Sequence, residues 1–211
     1  MVRIYISKTN LEEALGRAIE ALKKGSIVAY PTETFYGLGV KFDLEDSLKN
    51  LCCIKKRPGD KAIPLIFGDK KLLPLVAESL SQNALLLMEK FWPGPLTLLL
   101  RAKKNLSKYV TAGTGRVAVR IPGSSLGLAL VQKASFFITA TSANPSGMIP
   151  AQDADTVIRY FGDKVDIVID GGSTHGSLPS TIVDVTGKSI EILREGAISK
   201  KALSKFLKKT P

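Results

Sequence analysis

"SIVAYPTETFYGLG", Ser26 to Gly39, opens as one kind of structure and closes as another. Ile27, Val28 and Ala29 lead into Tyr30 as a short apolar run, which predicts a buried β-strand. A proline follows, then two threonines flanking Glu33, two aromatics and two glycines. This composition fits a turn that packs Phe35 and Tyr36 into the core. It fits equally a substrate-reading loop at a sheet edge, with hydroxyls on Thr32 and Thr34 and close backbone approach at Gly37 and Gly39. On these residues alone the two readings stand level.

Working outward, "VRIYIS" alternates like a short strand, and "TNLEEALGRAIEALKKG" repeats Leu11, Leu15, Ala18, Ile19 and Leu22 at helical spacing. Thr9 and Glu12 predict a capping box, and Gly25 the residue just past the helix end. A second helix is expected over 44–54, capped by Asp43. "IPLIF" then reads as a strand, and "KLLPLVA" and "SQNALLLMEKFW" as helical segments broken near Pro74 and Ser79. Beyond them "PLTLLL", "RVAVRI", "FFITAT", "VDIVID", "TIVDV" and "IEIL" are strands, with helices near 127–133 and 154–161. Strands interleave with helices, and no linker or repeat divides them. The expectation is a single α/β domain over residues 1–211 with flanking helices. Its sheet is expected to be mixed, because several late connections are short. Neither G-x-G-x-x-G after the first strand nor G-x-x-x-x-G-K-[ST] occurs, so the standard phosphate loops of doubly wound folds are missing.

The chain has 211 residues, 45% of them apolar, enough for a packed core. No apolar run reaches the ~18 residues of a membrane span, and the N-terminus lacks the apolar centre of a signal peptide, so a cytoplasmic protein without membrane contact is expected. Cys52 and Cys53 are the only cysteines; adjacent on a helix, they read as core-filling thiols. With His175 the only histidine, a zinc cage is not expected, and its glycine-rich setting argues against a Ser-His-Asp base. Thirty Lys and Arg against nineteen Asp and Glu give a net charge of +11, which favours anionic partners. Part of that charge, Lys200, Lys201, Lys205, Lys208 and Lys209, reads as the solvated face of a terminal helix.

Five punctuated loops combine small polar residues with Gly or Pro at element ends, where α/β proteins bind ligands. "PTETFYGLG" is the first. In "IKKRPGDKAIPL", cations at a helix C-terminus complement its dipole, while Pro58 and Gly59 would aim Arg57 and Lys61 from a fixed turn suited to a polyphosphate. "FWPGPLT" reads by itself as a turn packed by Trp92. In "RVAVRIPG", alternation puts Arg116, Ala118 and Arg120 on one face, with Arg120 at the strand end, placed to hold a carboxylate bidentately. "ITATSANPSG" is over-supplied with hydrogen-bonding groups for a bare turn and reads as an anion or nucleotide site. Ser180 and Arg194 stand at further strand ends. Together these loops offer anion binders without an activated nucleophile or a metal cage. Such a site catalyses by positioning and charge neutralisation, as nucleotidyl transfer requires.

"YPTETFYGLG", "KKRPGDK", "PGPLT", "VAVRIP", "TSANPSG" and "STIVDV" stand in the order of the YrdC-like family, the threonylcarbamoyl-AMP synthases, which the chain resembles from about Gly25 to Gly196. The resemblance implies an open twisted sheet of the YrdC-like, DHBP-synthase-like type around a deep basic cavity. It implies a reaction of L-threonine, bicarbonate or CO2, and ATP with Mg2+, giving threonylcarbamoyl-adenylate and pyrophosphate for tRNA modification. Carried over motif by motif, Thr32, Arg120 and Ser180 would seat threonine. Lys55, Arg57 and Lys61 would grip the phosphates, the first two catalytically. Ser142, Asn144 and Arg194 would contact the nucleotide. No metal ligand is identified. Ending at Pro211, the chain resembles the short single-domain form; it carries Phe67 where some relatives place a histidine. A downstream threonylcarbamoyl-transferase is the implied partner, and direct tRNA contact is not indicated. The rival reading is an RNA-binding module without synthase activity, which fits the charge but lacks an RNA-recognition motif.

Overall fold

The computed structural model describes residues 1–176, 178–187 and 189–207. Strand β1 (Val2–Tyr5) leads into helix α1 (Leu11–Lys23), which buries Ala14, Leu15, Ala18, Ile19 and Leu22, the stripe expected from their spacing. Its cap differs from expectation. Asn10 holds the cap position, with its Oδ1 accepting from the Ser7 N–H at 2.8 Å, and the Thr9 hydroxyl turns to Ser7 instead. Gly25 follows the helix with φ +90°, a conformation that favours glycine.

The opening stretch is a β-hairpin. Strands β2 (Val28–Pro31) and β3 (Tyr36–Gly39) pair antiparallel, Tyr30 opposite Gly37 and Pro31 opposite Tyr36, so only residues 32–35 form the turn. The glycines therefore sit in a strand rather than a loop. They make room for the Tyr30 ring, which a Cβ at Gly39 would approach to 2.7 Å.

Helix α2 (Glu45–Lys55) starts after Leu44; Asp43 is not its cap, because its carboxylate pairs with Lys41. Strand β4 (Leu65–Ile66) is shorter than "IPLIF". Lys70–Leu75 forms a 3-10 turn containing Pro74, and α3 (Gln82–Phe91) is capped by Ser81. The chain continues with β5 (Leu96–Arg101), α4 (Lys108–Thr111), β6 (Arg116–Arg120), α5 (Leu126–Ala134), β7 (Ile138–Thr139), β8 (Thr141–Ser142) and α6 (Ala154–Phe161). It ends with β9 (Ile167–Asp170), β10 (Thr181–Asp184), β11 (Glu191–Arg194) and α7 (Lys200–Leu207). Lys200 and Lys201 are exposed on α7; Lys208 and Lys209 lie outside the described residues.

The mixed α/β arrangement is present, divided between two sheets: β1-β9-β2-β3-β8 and β11-β10-β5-β6-β4-β7. Both combine parallel and antiparallel pairs. "FFITAT" is accordingly not one strand. It breaks at Ala140, whose N–H donates to the Pro64 carbonyl at 2.8 Å, and β7 joins the six-stranded sheet while β8 joins the five-stranded one. Alternation along β2 buries both faces: Val28 and Tyr30 pack under α1 and α5, and Ala29 faces the larger core shared with Leu96, Leu98, Val117 and Val119. Phe67 belongs to that core, fully buried beside Trp92 and Phe137. The cysteines do not fill it; Cys52 is half-buried and Cys53 exposed. Among the described residues no helix is long and apolar enough to cross a membrane.

Candidate active site

A cavity of about 820 Å³ opens between the two sheets. The hairpin turn supplies Thr32, β8 supplies Ser142, and the ends of β6 and β11 supply Arg120 and Arg194; Arg57 enters from the turn after α2, and Ser180 precedes β10. Six of the nine residues expected in a site thus share one wall. Lys55 and Asn144 are buried behind it, and Lys61 is exposed outside it.

The three arginines share one arrangement. Each fastens one edge of its guanidinium to the protein and leaves nitrogen donors over. Arg57 donates from Nε to the Lys61 carbonyl at 3.1 Å and from Nη2 to the Ala62 carbonyl at 2.6 Å, so Nη1 meets only the Thr141 hydroxyl at 3.5 Å. Arg194 donates from Nε and Nη2 to the Ser180 carbonyl at 3.1 and 2.8 Å. Arg120 is buried, and its Nη1 pairs with Glu33 Oε1 at 2.6 Å. Among the described residues no Asp or Glu lines the cavity, so these cations face it without a carboxylate in its wall. Burial lowers the pKa of Arg57; burial and then the charge of Arg120 lower that of Arg194. Fixed guanidinium edges of this kind suit carboxylate and phosphate oxygens, and little side-chain freedom is left to lose on binding.

Lys55 is enclosed behind the wall. Its Nζ donates to the carbonyl of Ser142 and, at 2.5 Å, to that of Asn144. The side chain is 2% exposed, and burial, with Arg57's charge second, pulls its pKa down to about 7. Asn144 likewise works from behind, donating to the carbonyls of Pro145 and Met148 at 2.8 and 2.7 Å and leaving its Oδ1 buried without a partner among the described residues. The Thr32 hydroxyl closes its own turn, donating to the Phe35 carbonyl at 2.8 Å and accepting from the backbone N–H of Thr34 and Phe35. Ser180 and Thr97 share a hydroxyl–hydroxyl bond of 2.9 Å.

Thr97 lines the cavity without having been singled out for it, whereas Thr141 belongs to the "ITATSANPSG" set expected at a site. For Thr97 the signal was alternation: with Leu99 and Arg101 it occupies one face of β5. For Lys55 the signal was helical spacing. Leu48, Leu51 and Lys55 fall on the buried stripe of α2, a place where a lysine is covered rather than offered to solvent.

Residues 20–196 match the Sua5/YciO/YrdC family, described as "Telomere recombination". A Pyrococcus abyssi protein named threonylcarbamoyl-AMP synthase is 34% identical over 186 residues, which is 88% of this chain and 55% of that one. An Idiomarina loihiensis protein of the same name is 36% identical over 169 residues, 79% of this chain and 90% of the other. The solved structure of P. abyssi Sua5 complexed with L-threonine superposes with a TM-score of 0.93 at 31% identity, over 98% of this chain and 61% of that one. The chain spans little more than half the length of the P. abyssi relative. With the match running from the last turns of α1 to the end of β11 and beyond it to Gly196, the chain belongs to the Sua5/YciO/YrdC family.

Proposed function

We propose that this chain makes threonylcarbamoyl-AMP and pyrophosphate from L-threonine, bicarbonate or CO2, and ATP. The observation that carries the reading is the convergence of Arg57, Arg120 and Arg194, from three separate parts of the chain, on one cavity whose wall, among the described residues, holds no carboxylate. Relatives named threonylcarbamoyl-AMP synthase, and a structural neighbour complexed with L-threonine, support it.

In this reading Arg120 pairs with the threonine carboxylate, beside Thr32 and the Ser180–Thr97 hydroxyls. The threonine nitrogen forms a bond to the carbon of CO2 and loses a proton, giving an N-carboxylate. An oxygen of that carboxylate attacks the α-phosphorus of ATP. The bond from that phosphorus to the bridging oxygen breaks, and its electron pair leaves with pyrophosphate. Arg57 neutralises the departing charge, with Arg194 on the nucleotide and Ser142 at the border of the adenylate. Lys55 and Asn144 hold that border in place from behind. Lys61 fixes Arg57 through its carbonyl. Mg2+ belongs to the proposal only as the ion that ATP brings. Among the described residues the cavity wall offers it no carboxylate, and no group of three His, Cys, Asp or Glu could hold a metal. Residues 1–211 acting as one domain, a cytoplasmic location and delivery of the adenylate to a tRNA-modifying transferase complete the proposal.

The test is incubation with labelled bicarbonate, threonine and ATP, followed by mass detection of a labelled adenylate. Pyrophosphate release should require threonine and bicarbonate, and Arg57→Ala should lower it by on the order of 100-fold, the usual cost of losing a charge-stabilising donor. An unchanged rate in that variant would remove Arg57 from its role.

A further inference from the structure

Among the described residues, Gln152 is the only side-chain amide in the cavity wall. The backbone that carries it is tied down. Before it, the buried Ala151 donates its N–H to the Ala143 carbonyl at 3.3 Å and accepts from the Tyr36 N–H at 3.0 Å. The carbonyl of Gln152 accepts from the N–H and the hydroxyl of Thr174 at 2.8 and 3.2 Å. Its side chain is oriented as well, because Nε2 donates to the Gly176 carbonyl at 3.2 Å. A carbonyl can only accept, so the amide must turn its nitrogen towards Gly176 and its oxygen away. That oxygen, Oε1, makes no hydrogen bond among the described residues.

The surroundings of this oxygen are apolar. Gly176 rests on the backbone of Thr34, whose carbonyl a Cβ there would meet at 2.1 Å, so Gln152 shares a corner of the cavity with the hairpin turn and Phe35. Pro150 and Ile149 line the wall just before it, and Ile149 is 79% exposed in the empty cavity. A planar ring lying in this corner would cover apolar surface and meet an acceptor at its edge. The rest of the wall cannot supply that selectivity. Its arginines only donate, and its hydroxyls donate or accept as the occupant requires. Adenine presents an amino donor where guanine presents a carbonyl oxygen, so a fixed acceptor tells the two apart. The seat proposed for the amino acid lies across the seam. Arg120 and Thr97 belong to the six-stranded sheet, whereas Ala151 and Gln152 are bonded to the side of β3.

We propose that Gln152 selects the nucleobase, its Oε1 accepting from the exocyclic amino group of an adenine laid against Phe35, Ile149 and Pro150. This rests on the reading of the cavity as a nucleotide site, whatever reaction follows there. The test is calorimetric titration of the wild-type chain, Gln152→Met and Arg57→Ala with ATP and with inosine triphosphate, whose base carries a carbonyl in place of the amino group. The wild-type chain should bind ATP about tenfold or more tightly than inosine triphosphate. In Gln152→Met the two affinities should converge, mainly through weaker binding of ATP, whereas Arg57→Ala should weaken both alike. The thermal melt of Gln152→Met should stay unchanged, since the side chain is exposed. Equal affinities in the wild-type chain overturn the proposal, as does a preference for ATP that survives in Gln152→Met. If Gln152→Met instead weakens binding of threonine and keeps the preference, Oε1 serves the amine and the proposal also falls. A wild-type chain that binds neither nucleotide sinks it together with the nucleotide reading of the cavity. Selective ATP binding that is lost in Gln152→Met supports it even where no threonylcarbamoyl-adenylate forms, an outcome that removes the reaction alone.

Discussion

Replacing Lys55 by Met should change how the stability of this protein depends on pH. In the unfolded chain the ammonium titrates near 10.5; in the folded chain burial brings it to about 7. That difference of about 3.5 units corresponds to ~5 kcal/mol. The folded pKa is the lower one, so between about pH 7 and 10.5 the unfolded chain binds the extra proton, and stability rises with pH. The penalty is fully present below pH 7 and vanishes above 10.5. From pH 7.5 to 9.5 this group alone should stabilise the wild-type chain by ~2.5 kcal/mol. Lys55→Met lacks that contribution. It also removes one of the two donors to the Ser142 carbonyl, which keeps the Asn144 N–H, and the Lys55 donor to the Asn144 carbonyl, the latter a cost of about 1–3 kcal/mol that does not vary with pH. Relative to the wild type the variant should therefore lose ground steadily as the pH rises, by ~2.5 kcal/mol from pH 7.5 to 9.5. Urea unfolding of both proteins at pH 7.5, 8.5 and 9.5, followed by the fluorescence of Trp92, measures it; other titrating groups cancel in the difference. A gap constant to within about 0.5 kcal/mol would show that Lys55 titrates normally and would refute the reasoning.

Three further outcomes are expected. Glu33→Gln removes the counter-charge of the buried Arg120 and should cost about 3 kcal/mol in urea unfolding; saturating threonine should stabilise this variant more than the wild type, because the substrate's carboxylate then supplies the missing charge. Arg194→Ala frees the Ser180 carbonyl and removes a cation from the cavity, so the KM for ATP should rise about tenfold in initial-rate assays with little change in that for threonine. Gly196→Ala would set a Cβ against the Pro179 carbonyl and the Ser180 backbone, and should lower stability by about 1–3 kcal/mol while displacing Ser180 from the cavity wall.

Much of the fold was legible because the signals are local. The 3.6-residue repeat of α1 and the alternation of β6 express which side of each element is covered, and both faces are as the pattern requires. What failed to show was pairing between distant residues. "FFITAT" is an unbroken strand by composition, and nothing in it records that Ile138 meets Ile66 in one sheet while Thr141 meets Leu38 in the other. In the 26–39 stretch, the glycines suggested a loop, whereas their lack of side chain serves the Tyr30 ring on the neighbouring strand. At the site, the arginines could be picked out because Arg57 follows a recognisable helix and Arg120 and Arg194 close recognisable strands. The burial of Lys55 was hard to read for a physical reason: charge at a helix C-terminus normally favours solvent, and only its position on the stripe of Leu48 and Leu51 recorded that it is enclosed.

The cavity takes Gly37 and Ser142 from one sheet and Arg120 and Arg194 from the other, so a molecule bound there ties two independently laddered halves across their seam. Occupancy then acts as a cross-brace. At a hundred times its dissociation constant such a molecule would add about 2.7 kcal/mol to the folding free energy, and a rising melting temperature would announce a fitting occupant before any turnover is measured.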